Sequence, residues 1–154
     1  MAASQQIESH IATLEHSVEA GLAYFQGPGG QAKVRIGRWG PREVLCHLVW
    51  WHQATVEGME SVLSGGAPYR FYGSVDDMNA RAVGRLSGKT IDQLADLVQQ
   101  FQARLVKAAR ALPDTRATVL VFGDGSERSA EQRLETMASH WDEHVKELQA
   151  LSAA

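Results

Sequence analysis

Apolar residues at Ile7, Ile11, Leu14, Val18, Leu22 and Phe25 recur every three or four positions, with Gln, Glu and Ser between them. That step puts them on one face of a helix and predicts a first helix from Ser4 to Phe25. Gly27-Pro28-Gly29-Gly30 breaks it. The stretch to Arg38 is polar, with Val34 and Ile36 as a short extended piece. Pro41 and Glu43 then suit the first turn of a second helix: the proline because its missing N–H is not needed there, the glutamate because the helix N-terminus is positive. Val44, Leu48, Trp51, Thr55, Met59 and Val62 mark its inward face as far as Ser64-Gly65-Gly66. His47 falls on that face.

From Ala67 to Lys89 the pattern weakens, interrupted by Pro68, Gly73, Gly84 and Gly88. This predicts a crossover over one end of the molecule, with an aromatic cluster at Tyr69, Phe71 and Tyr72 and a short helix from Asp76 to Leu86. A third helix carries Ile91, Leu94, Val98, Phe101, Leu105, Ala108 and Leu112; a capping-box pattern at Thr90 and Gln93 opens it and Pro113 closes it. Residues 117–122 read as a short strand or an extended connector, ending in the turn Gly123-Asp124-Gly125. A fourth helix begins at Ser126 or Ser129, where Ser129 and Gln132 repeat the capping-box pattern. Leu134, Met137, Trp141, His144, Leu148 and Leu151 step along it by three and four. Four long helices with two substantial crossovers predict an all-α four-helix bundle, one domain over residues 1–154.

Composition narrows the partners more than the chemistry. The 154 residues are 44% hydrophobic and 21% charged, with a net charge of −3 and no basic stripe. Nucleic acid is therefore not an expected partner. No apolar run approaches the ~20 residues that span a bilayer, so no membrane is expected either. Cys46 is the one cysteine, so no intramolecular disulfide can form, as suits a reducing compartment. Met1 to Glu8 lacks a basic region followed by an apolar run. A cytoplasmic protein is the expectation.

The candidate chemistry lies in the histidines. His140 and His144 are four apart on a helix, so both rings project from one face. His47 adds a third inward imidazole from another helix. Three protein ligands are the usual count for a catalytic zinc site, which keeps a position for water or substrate, and imidazole also suits Ni, Fe and Cu. The bland alternatives are a core histidine bonded to a neighbour and an exposed one. His10 and His16 fall under them. His52, about 140° round the helix from His47, is read as a surface residue or one lining the entrance of the site. His140-x-x-Glu143-His144 also matches the signature of inverted zinc peptidases. Those enzymes need a further ligand well downstream, whereas ten residues follow His144 (154 − 144). Cys46 reads as a small buried hydrophobe rather than a nucleophile. Trp50, Trp51 and Trp141 are expected to wall the site. Arg70, Arg81 and Arg85 read as solvated rather than substrate-binding. Glu43, Glu57 and Glu143 are equal candidates for a general base.

Trp39-Gly-Pro-Arg-Glu-Val-Leu-Cys-His47-Leu48 resembles the start of the second helix in the DinB-like superfamily. His140-Trp-Asp-Glu-His144-Val-Lys-Glu-Leu resembles that family's closing H-x-x-x-H helix. Asp76-Asp77-Met78-Asn79 is similar to the Asn-containing crossover of the maleylpyruvate-isomerase-like branch. The order and separation of these short motifs carry the resemblance, which covers most of the chain. It implies an up-down-down-up four-helix bundle, often a homodimer. It implies a divalent metal, Zn or Ni, on His47, His140 and His144; Asn79, from the crossover motif, and Trp51, Trp141 and His52, from their places on the helices, are the pocket candidates. Some members are transferases or isomerases that use a low-molecular-weight thiol such as mycothiol, bacillithiol or glutathione. A branch that protects against genotoxic metabolites lacks the triad. The second domain of the mycothiol-dependent isomerases is not expected here, nor is isomerase activity itself. The resemblance therefore implies a metal-dependent transferase or hydrolase acting on a small electrophilic molecule. The alternative is a non-enzymatic stress-response or sequestration dimer with a structural metal or none.

Overall fold

The computed structural model describes residues 2–153. Five α-helices dominate it: α1 Ala2–Gln26, α2 Pro41–Leu63, α3 Val75–Leu86, α4 Ile91–Ala111 and α5 Ala130–Ala153. Three short strands accompany them: β1 Tyr69–Arg70, β2 Thr118–Val121 and β3 Glu127–Ser129. The chain is thus mostly helical. No helix among the described residues is long and apolar enough to cross a membrane.

The helix ends are set by the residues that the patterning singled out. The Glu43 carboxylate accepts from the Gly40 N–H at 3.0 Å, ahead of Pro41. Thr90 and Gln93 form a reciprocal capping box at 3.1 and 2.9 Å, and Ser129 and Gln132 another at 3.1 and 2.8 Å. Each box satisfies two N–H groups that would otherwise lack partners at a helix start. Ser74 caps α3, accepting from the Asp77 N–H at 3.1 Å. The extended piece expected at Val34 and Ile36 is a single bridge between Ile36 and Trp39. The inward stripe of α5 ends early, since Leu151 is exposed.

Packing makes α2 the central element. It lies chiefly against α4, with further contacts to α3, α5 and β2, while α1 lies chiefly against α5. Every residue from Val44 to His52 is buried. Over that stretch the helix is covered on all sides, and a single amphipathic stripe does not describe it. This overturns the surface alternative for His52, which is 0% exposed.

The strands form one sheet in the order β1-β2-β3, parallel between β1 and β2 and antiparallel between β2 and β3. The mostly helical chain is consistent with the all-α expectation, and β2 falls in the extended segment expected over residues 117–122. Strand β1 comes from the first crossover and pairs with β2 from the second, so the two crossovers hold each other. The β2–β3 turn is closed by Asp124, whose Oδ1 accepts from the Ser126 N–H and Oγ–H at 2.9 and 2.7 Å. Gly58 lets the sheet sit directly on α2: a Cβ there would overlap the Val119 carbonyl oxygen. This seats Phe122 and the turn beside the open end of α2 and α5.

Candidate metal centre

Helix α2 supplies His47, and α5 supplies His140 and His144 one turn apart. The Nε2 atom of His140 lies 2.9 Å from that of His47 and 2.9 Å from that of His144. One nitrogen from each ring falls within 4.8 Å of the other two. Burial holds the His47 imidazole down to a pKa of about 3, helped by His140 and His144. His140 is likewise pushed down to about 3 by burial and then by His144, and burial lowers His144 as well. All three rings are neutral at pH 7.

A neutral imidazole nitrogen carries either one hydrogen or one lone pair. The His140 Nε2 cannot therefore make two good hydrogen bonds along its two 2.9 Å contacts. Hydrogen bonding alone leaves the trio frustrated, whereas three lone pairs sharing one cation satisfy it. Nitrogen ligands 2.0–2.1 Å from a single ion stand roughly 3.0–3.4 Å from one another. The 2.9 Å spacings fall within about half an ångström of that range, so the residues fit a divalent metal. The outer nitrogen of His144, Nδ1, lies 3.3 Å from Glu147 Oε1. The two make no hydrogen bond in this geometry, so the Glu147 carboxylate acts on the ring through its charge.

The three histidines line a cavity of about 730 Å³. Trp39 stands against His47 with ring centroids 5.0 Å apart. Trp51, Phe71 and Phe122 form an aromatic cluster with centroids 5.2–5.9 Å apart, and Trp51 and Phe122 face the cavity. Asn79 lines it too, its Oδ1 accepting from Trp51 Nε1–H at 3.2 Å.

Three residues expected at the site are not on the cavity wall: Trp50, which packs on Trp51 and Phe71, and Trp141 and His52. The Trp141 Nε1–H donates to His52 Nδ1 at 3.4 Å, which leaves the His52 Nε2–H to donate to Gln102 Oε1 at 2.8 Å. Both side chains are buried in the core. The covered stretch Val44–His52 of α2 holds His52 in the core, and neither side chain lines the cavity.

The other candidates separate cleanly. Of the three glutamates, Glu143 lines the cavity. Glu43 is held by the Gly40 N–H and Arg42, and Glu57 accepts from Gln53. Cys46 is buried, and desolvation pushes its thiol up to about 11, so it is no nucleophile at pH 7. His10 lies 3.8 Å from Glu131, and His16 is exposed. Arg70, Arg81 and Arg85 are exposed. The patterning missed Arg133, which lines the cavity while 5% exposed. Its one sequence signal was its place seven residues, two helical turns, before His140.

A mostly helical protein with three neutral histidines converging at a cavity wall is the class that fold and site define. The family model of the DinB superfamily matches residues 8–148, and the chain belongs to that superfamily. No curated protein and no solved structure matches it.

Proposed function

We propose that His47, His140 and His144 hold one divalent metal, Zn or Ni, and that the protein is a metal-dependent enzyme. It transfers a low-molecular-weight thiol to a small electrophilic molecule, or hydrolyses that molecule. The observation that carries this reading is the convergence of three uncharged Nε2 atoms on the wall of a cavity large enough for a small ligand. Among the described residues no fourth His, Cys, Asp or Glu joins the group, which favours an open catalytic site over a closed structural one. When bound, the metal supplies the Lewis acidity that makes a thiol or water a nucleophile at neutral pH.

The chain's own residues do the rest. Trp51 and Phe122 exclude water and shape the cavity. Glu143 is the glutamate placed to take a proton there. Asn79 keeps the Trp51 ring fixed through its hydrogen bond. We read the four long helices as an up-down-down-up bundle, supported by α1 packing mainly on α5 and α2 mainly on α4. A homodimer in the cytoplasm is the form proposed for the active protein, and light scattering tests the dimer.

The direct test is a thermal-shift and turnover screen of zinc- and nickel-loaded protein with glutathione, bacillithiol and mycothiol. The expected result is a metal-dependent shift with at least one thiol, and conjugation of a reactive electrophile. A shift with none of them, and no hydrolysis of activated esters, would leave the non-enzymatic alternative standing.

A further inference from the structure

The side chain of Arg133 is out of place in a core. It is 5% exposed, and Nη2 has no hydrogen-bond partner. The Nε–H donates to Thr55 Oγ1 at 3.2 Å, and the guanidinium carbon lies 5.1 Å from the Trp51 ring centroid. No carboxylate forms an ion pair with it among the described residues. Burial lowers its pKa to about 10, which still leaves it fully charged at pH 7. A buried cation without a counter-ion is costly, and one that loses hydrogen bonds as well is more so. A ligand that brings the missing anion relieves that cost.

Arg133 also sits where a ligand would find it. It lines the histidine cavity together with Trp51 and His140. Seven residues on α5 separate it from His140, about 10 Å of helix rise on one face. We infer that Arg133 anchors a carboxylate of the ligand, so that a small carboxylic acid spans the cavity from the guanidinium to the histidine cluster. The planar fork of a guanidinium matches a carboxylate with two parallel hydrogen bonds. The charges on the cavity wall favour a monoanion over a dianion such as phosphate. One added negative charge neutralises the buried guanidinium, which has no carboxylate partner among the described residues, while Asp124 and Glu143 on the same wall disfavour a second. The span to the histidines calls for a chain of several atoms between the carboxylate and the reacting group. This assignment rests on the proposed metal site only for the second end of the ligand; the carboxylate end stands without metal.

The test uses full-length protein, metal-free and zinc-loaded. Each form is titrated by calorimetry and Trp fluorescence with acetate, butanoate, hexanoate and inorganic phosphate at constant ionic strength. Saturable binding of the longer carboxylates to both forms is expected, at least tenfold tighter than phosphate. Arg133→Gln should weaken carboxylate binding at least tenfold and keep its zinc stoichiometry. Arg133→Lys, which keeps the charge but loses the fork, should fall between. Arg85→Gln, an exposed arginine outside the cavity, should bind within about threefold of the parent. Should Arg133→Gln fail to fold, Arg133→Lys carries the comparison. Carboxylate binding absent from the parent, equal in both Arg133 variants and the parent, or matched by phosphate overturns the assignment. Loss of zinc binding with carboxylate binding intact would instead count against the metal reading and leave this one standing.

Discussion

His47 and His140 stand 93 residues apart in the chain and bring their Nε2 atoms to 2.9 Å across the α2–α5 interface. Two neutral rings set nose to nose in a core, with a third beside them, make sense as a ligand set awaiting a cation. One equivalent of Zn or Ni per chain is therefore expected in untagged protein, read by plasma emission spectrometry. His47→Ala and His144→Ala should each lower affinity by at least roughly a hundredfold, since losing a ligand costs more than losing its outer partner. His10→Ala should bind like the parent. Less than about a tenth of an equivalent in the parent after incubation with either metal would remove the ligand assignment.

Glu147 offers a finer test. Its carboxylate lies 3.3 Å from His144 Nδ1 and is 49% exposed. Outer partners of ligating histidines are worth about 10–100-fold in metal affinity. The carboxylate is half exposed and makes no hydrogen bond to Nδ1 in this geometry, which places Glu147 at the lower end. Glu147→Gln should weaken zinc binding roughly tenfold in a chelator-competition assay, with no change in stoichiometry. An affinity within twofold of the parent would show that water serves His144 equally well.

Much of this was legible in the sequence, for identifiable reasons. The capping boxes at Thr90–Gln93 and Ser129–Gln132 are local chemistry, and local chemistry survives folding unchanged. The His140–His144 spacing is fixed by helix geometry alone. Strand β3 was not legible, because Glu127-Arg128-Ser129 has no apolar alternation and becomes a strand only by pairing with β2. His52 was misjudged because nothing near it reveals that this stretch of α2 is covered all round; the partners that bury it, Gln102 and Trp141, lie 50 and 89 residues away. Arg133 escaped notice likewise, its partner Thr55 lying 78 residues back.

Two helical glycines should respond to alanine with opposite signs. Gly58 on α2 backs onto β2, and an added methyl there would overlap the Val119 carbonyl oxygen. Overpacking a tight contact costs about 1–3 kcal/mol. Gly58→Ala should destabilise by that amount and shift Phe122 at the cavity, weakening any ligand bound there. Gly84 in α3 is exposed, and a methyl group added to it would meet nothing within 4 Å. Gly84→Ala should stabilise by roughly 0.5–1 kcal/mol through helix propensity. Urea unfolding followed by Trp fluorescence measures both; equal effects would contradict the seating of the sheet on α2.

The buried histidines set the acid limit of the metal-free protein. His47 and His140 are held down to about 3 and His52 to about 4, in each case chiefly by burial. In the unfolded chain each titrates near its ordinary value of about 6.5. Between those limits the unfolded state binds more protons, so stability rises with pH across the window. It is fully present above about pH 6.5 and falls as the pH drops toward 4. Each histidine removes about 1.4 kcal/mol per pH unit once its unfolded copy is protonated. Three together approach about 4 kcal/mol per unit, a large share of the roughly 5–15 kcal/mol that holds a typical domain. Unfolding free energies measured at pH 7.5, 6.5, 5.5 and 4.5 should be level over the first two and drop steeply over the last two. His52→Gln should lessen that slope by about one proton and leave zinc stoichiometry intact, because His52 belongs to the core and not to the cluster. A flat profile from pH 6.5 to 4.5 would mean that these rings are protonated in the fold, which is incompatible with three lone pairs meeting at His140.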